Sequence, residues 1–106
     1  MSCVFCKIIN KEIPSEVVYE DERVLGIKDI QPKSPTHLLF LPKTHIESLD
    51  SLDESQIDVF NNILLVAKKF ATEHSLRPYR LTLNTGAPFQ EVMHLHLHLE
   101  STHSMN

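Results

Sequence analysis

Three histidines alternate with leucine near the end of the chain, as His94-Leu95-His96-Leu97-His98-Leu99. In extended backbone, successive side chains point to opposite faces, and next-but-one residues lie about 7 Å apart. The spacing predicts all three imidazoles on one face and Leu95, Leu97 and Leu99 on the other. Rings this close can serve one small anionic group or one metal ion. Neutral imidazole is a competent nucleophile near neutral pH and forms covalent intermediates. His96, the middle ring, is the candidate for attack on phosphorus. Its neighbours can orient it, donate to phosphate oxygens or protonate a leaving group. The competing chemistry is a zinc cage, because catalytic zinc sites use three histidines and keep one position open.

Other residues could join this group. Cys3-Val4-Phe5-Cys6 opens the chain and holds its only two cysteines. A redox pair of this spacing belongs at a strand-to-helix turn within a βαβ unit, and no strand precedes it here. Half of a metal site, or an inert pair, remains. His37 begins an apolar stretch and His45 follows Pro42-Lys43-Thr44. Either could join the cysteines, join the triplet, or satisfy a buried hydrogen bond. His74 suits the end of a helix, and His103 lies in a polar tail. Asn84, Gly86 and Gln90 form a polar set just before the triplet, where glycine lets backbone N–H groups approach a phosphate. Asp29 ends an apolar run, where a carboxylate can accept hydrogen bonds from a sugar diol.

These residues must be held by a small number of elements. Residues 4–9 read as a short helix, punctuated by Pro14. Residues 15–20 and 23–29 read as strands joined at Asp21-Glu22. Residues 37–41 read as a buried strand closed by Pro42. The clearest helix starts near residues 51–54, with Ser51 or Asp53 as cap. Ile57, Phe60, Ile63, Leu64, Ala67, Phe70 and Ala71 form its apolar face at three- and four-residue spacing. Tyr79, Leu81 and Leu83 alternate with Arg80, Thr82 and Asn84, which predicts a strand over 79–84. Residues 85–89 are a turn, and 92–100 the last strand. The expected fold is α+β: a mostly antiparallel sheet of about five strands, one long helix across a face, and a short N-terminal helix.

A chain of 106 residues suits one domain, 1–106. A net charge of −4 offers no basic footprint for nucleic acid. No apolar run is long enough for a bilayer span, and the start lacks a secretory apolar stretch, so the expected setting is intracellular and cytoplasmic.

Taken together, the chain resembles the histidine-triad (HIT) superfamily in its Hint-like branch of nucleotide hydrolases. Four stretches carry the resemblance: Cys3–Ile9 with Glu12-Ile13-Pro14; Val18–Asp21 with Val24–Ile30; Pro35–Ile46; and Gln90–Leu99. It implies a nucleotide hydrolase or transferase acting at the α-phosphorus of purine nucleoside 5′-phosphates, either phosphoramidates or dinucleoside polyphosphates. The nucleophile is His96, which takes up the nucleotidyl group. His98 binds the α-phosphate and assists the leaving group, and His37 supports the triad. Cys3, Cys6, His45 and His94 form a structural zinc site, with no catalytic metal. The nucleotide set is Val4, Phe5, Ile8, Ile27, Ile30 and Leu39 at the base, Asp29 at the ribose, and Asn84, Gln90 and Glu91 near the phosphate. A two-fold homodimer is implied as well, and it would manage the edge strands of an open sheet.

The chain departs from the family pattern in ways that bear on activity. Ile27 stands where phenylalanine is usual, which weakens stacking on a base. The loop before the triad is one residue short and carries Phe89 in place of a glycine. Phe89 either obstructs the phosphate path or caps the pocket. Glu91 replaces a hydroxyl residue. These departures motivate the alternative of a nucleotide-binding or scaffold protein with weak turnover.

Overall fold

The computed structural model describes residues 3–105. Five strands form one antiparallel sheet: β1 (Val17–Glu20), β2 (Val24–Lys28), β3 (Thr36–Pro42), β4 (Tyr79–Leu83) and β5 (Leu97–Ser101). Their order is β1-β2-β3-β5-β4. Helix α1 (Val4–Ile9) precedes the sheet, and helix α2 (Ile57–Glu73) connects β3 to β4. The α+β architecture is the one the apolar periodicities predict.

Every residue of β3 is buried, which a strand at the middle of the sheet, covered on both faces, requires. One face carries the main core. Leu38, Phe40, Leu97 and Leu99 pack there against Ile63, Ala67, Phe70 and Ala71 of α2. The opposite face carries a smaller core of Phe5, Leu25, Ile27, Leu39 and Leu41, closed by Ile8 and Ile9 of α1. The period-two alternation of β5 therefore sends leucines to the helix side and histidines to the α1 side.

Two boundaries differ from expectation. The helix begins at Ile57, after 3-10 turns at Leu49–Ser51 and Glu54–Gln56. Gln56 Oε1 accepts the Asp53 N–H at 3.0 Å and settles that entry. Ile57 and Leu64, read as core, are 48% and 37% exposed. The last strand begins at Leu97 rather than residue 92. The β3–β5 pairing stops at Phe40–Leu97. Ahead of it the chain turns away, with Leu95 N–H donating to the Ile46 carbonyl at 2.7 Å. His94 and His96 thus lie on irregular backbone, and only His98 sits in the strand.

Gly26 marks the tightest contact between sheet and core. A Cβ there would lie 2.8 Å from Phe40 Cε1 and 3.2 Å from the Tyr19 Cβ. Phe40 is fully buried and meets Phe70 edge to face with centroids 5.6 Å apart, so its ring has nowhere to retreat. Gly26→Ala is expected to cost about 1–3 kcal/mol through overpacking, read as a lower midpoint in urea.

Candidate functional site

The three histidines divide between two sites. His94 is fully buried and turns toward α1. Its Nε2–H donates to the Pro42 carbonyl at 2.8 Å, which leaves the Nδ1 lone pair facing the cysteines. That atom lies 3.4 Å from Cys3 Sγ, 3.7 Å from Cys6 Sγ and 3.1 Å from His45 Nδ1. Cys6 Sγ and His45 Nδ1 are 3.3 Å apart. Tetrahedral zinc with two sulfur and two nitrogen ligands has donor separations of roughly 3.3–3.8 Å. The four residues form one compact donor group, and their spacing fits that ion. Burial and the neighbouring Cys3 push the Cys6 thiol up. The carbonyl behind His94 is the usual outer partner that orients a ligating imidazole. Burial takes His94 down to about 4, so its ring is neutral, as a ligand must be.

His96 faces the other way. Its Nδ1–H donates to the His94 carbonyl at 2.7 Å, so Nε2 carries the free lone pair. Phe5 stands edge-on between the two sites, its centroid 5.8 Å from His94 and 5.0 Å from His96. The His98 ring lies 5.0 Å from that of His96. Burial holds both His96 and His98 below the ordinary histidine value, and for His98 the neighbouring His96 and His37 add to the effect. Both rings are therefore neutral at neutral pH.

The proton on His98 is assigned through a chain of contacts. The Lys33 backbone N–H donates to His37 Nδ1 at 3.2 Å. With Nδ1 accepting, His37 carries its proton on Nε2, 3.0 Å from His98 Nδ1. His98 accepts there and keeps its own proton on Nε2. Asp29 Oδ2 lies 3.4 Å from His37 Nε2, while Asp29 Oδ1 accepts the Gln31 N–H at 2.9 Å. An unprotonated nitrogen on His96 and a protonated one on His98 thus sit side by side, an arrangement suited to attack by the first and a hydrogen bond to a leaving atom from the second.

Both rings line a cavity of about 740 Å³. The Val4, Phe5, Ile8, Ile27 and Leu39 side chains form its apolar part, and Asp29, Asn84 and Glu91 also line it. Ile30 reaches only the rim and is 91% exposed. Gln90, expected at the nucleotide, is turned inward instead. It is 4% exposed. Its Oε1 accepts the Gly86 N–H at 2.9 Å, and its Nε2 donates to the carbonyls of Glu47 and Val92. Both amide hydrogens are committed to backbone carbonyls, so Gln90 staples the loop. Gly86 turns that loop at φ +79°, a region L side chains avoid.

Phe89 projects from the stapled loop, 76% exposed, and lines the same cavity. It does not fill core. Arg80, Thr82 and Glu100 line the cavity as well, residues not singled out from the sequence. The signal was present for two of them, since Arg80 and Thr82 share the polar face of β4 with Asn84. The backbone donor of Lys33 and the carbonyl of Pro42 carry no sequence signal at all, because every residue offers such groups.

Known proteins resemble this chain in sequence and fold. Residues 2–106 match the family described as "Scavenger mRNA decapping enzyme C-term binding". The chain is 44% identical over 107 residues to a 14 kDa zinc-binding protein of Zea mays, covering 97% of this chain and 84% of that protein. It is 40% identical over 107 residues to Adenylylsulfatase HINT1 of Arabidopsis thaliana, covering 97% of this chain and 73% of that protein. A crystal structure of a HIT family hydrolase from Legionella pneumophila superposes with a TM-score of 0.91 at 42% identity, covering 99% of this chain and 96% of that one. With the triad, the sheet order and these relatives in agreement, the chain belongs to the histidine-triad superfamily.

Proposed function

We propose that the protein is a nucleotide hydrolase that acts at the α-phosphorus of purine nucleoside 5′-phosphates through a nucleotidyl-His96 intermediate. The observation that carries the reading is the pairing of an unprotonated His96 Nε2 with a protonated His98 Nε2 on the wall of one cavity. The hydrolase and adenylylsulfatase names of its relatives support the same class of chemistry. The apolar part between α1 and β2 takes the base, and Asp29 takes the ribose hydroxyls. Asn84 and His98 donate to the phosphate, where donors stabilise developing charge.

In the first step His96 Nε2 bonds to phosphorus as the bond to the leaving group breaks. The electron pair stays with the leaving atom, which accepts a hydrogen bond from His98 Nε2–H and takes its proton from a water molecule, leaving hydroxide. In the second step that hydroxide is the attacking group. Its oxygen bonds to phosphorus, the bond to His96 breaks, and a nucleoside monophosphate leaves. His37 holds the His98 ring and its tautomer throughout. Cys3, Cys6, His45 and His94 hold zinc outside this path; when bound, it cross-links α1 to the segment before β5 and supplies rigidity.

Adenosine 5′-phosphoramidate and a diadenosine polyphosphate are the substrates that test the reading. Release of AMP from at least one is expected. Release from neither, with folded protein, overturns it.

The working unit we propose is a two-fold homodimer. Strand β4 is a sheet edge with a free row of backbone groups, and Leu65 of α2 is 49% exposed. Pairing of edges removes the first liability and burial of the second follows. Sedimentation is expected to give twice the chain mass at micromolar concentration; a monomer mass overturns the dimer.

A further inference from the structure

We infer that Phe89 and Glu91 form a leaving-group subsite selective for amines that carry an aromatic ring, an inference that rests on the hydrolase reading above. The apolar base pocket lies at α1 and β2, on one side of the triad. The loop that follows β4 lies across the sheet order from it, with β3 and β5 between. A nucleotide with its base against Ile8 and Ile27, and its phosphorus at His96, directs its leaving group to that loop.

Two properties of the loop define what it accepts. Phe89 is 76% exposed yet lines the cavity. The loop beneath it is stapled by the buried Gln90 amide. The ring is therefore held out as a platform, at little ordering cost on binding. Aromatic faces recognise other rings by offset or edge-on stacking.

The second property is charge. Arg80 and Glu100 line the same side of the cavity and neutralise each other, with Nε and Oε1 at 3.0 Å. Glu91 is exposed in the cavity wall and, among the described residues, pairs with no cation, so it adds a negative charge beside the loop. A carboxylate there disfavours phosphate or carboxylate leaving groups and favours an amine, which departs with its electron pair and a proton from water.

The test compares adenosine 5′-phosphoramidates of phenethylamine and n-butylamine, beside the adenosine 5′-carbamates of the same two amines, which lack the scissile bond. Binding of the carbamates is measured by calorimetry and turnover of the phosphoramidates by AMP release. On the unmodified protein the aryl member of each pair is expected to be preferred by about tenfold. Phe89→Ala is expected to reduce both ratios to about twofold with an unchanged melting temperature, because the ring packs on no core. A carbamate ratio that Phe89→Ala leaves unchanged overturns the platform. If the ratio depends on Phe89 but neither phosphoramidate is hydrolysed, the subsite stands and the hydrolase reading fails. Glu91→Gln separates the charge: it is expected to strengthen inhibition by diadenosine triphosphate several-fold relative to the aryl carbamate. Unchanged relative inhibition overturns the role of Glu91.

Discussion

Replacing His96 with alanine is expected to abolish the covalent adduct and lower turnover by about 10⁴-fold or more, as loss of a nucleophile does. Intact-mass spectrometry after mixing with an adenosine phosphoramidate reads the adduct directly. The unmodified protein is expected to gain the mass of one adenylyl group, and the His96→Ala protein none. Substrate binding is expected to survive, because the apolar wall and Asp29 are untouched. The geometry gives the reason. His96 Nδ1–H is committed to the His94 carbonyl at 2.7 Å, which leaves Nε2 as the exposed lone pair. His98 cannot substitute, because its Nδ1 lone pair is occupied by His37 at 3.0 Å. An adduct of normal mass on the alanine protein would refute the assignment.

The second large effect concerns the cysteine–histidine group. Untagged protein is expected to contain about one zinc per chain by metal analysis. The Cys3→Ala, Cys6→Ala double variant is expected to contain almost none and to melt more than about 10 °C lower. The group joins three separate stretches: Cys3 and Cys6 at α1, His45 after β3, and His94 before β5. Without a cation, two thiols and two imidazoles remain within hydrogen-bond distance with little to hold them. Chemistry per folded molecule is expected to fall less than stability, since His96 and His98 lie outside the donor group. Metal content unchanged in the double variant would place the zinc elsewhere.

Much of this protein was written in local pattern. The alternation of His94, His96 and His98 with leucine set a polar and an apolar side, because period two survives even where the ladder does not. Ile63, Ala67, Phe70 and Ala71 marked the buried stripe of α2 by their spacing alone. The α+β class and five strands followed from where the period changed from two to nearly four.

Tertiary structure decided the rest, for reasons that local pattern cannot carry. Sequence spacing cannot say that His94 leaves its two neighbours to join Cys3, Cys6 and His45, because those partners are up to 91 residues away. Nor can it assign the tautomers. These depend on the Pro42 and His94 carbonyls and the Lys33 N–H, and backbone groups are identical at every position. Gln90 has the composition of a ligand contact, yet it became a buried staple because three backbone groups around it needed partners. Phe89 has the composition of core, yet it stands exposed on the cavity wall because that staple fixes the loop beneath it.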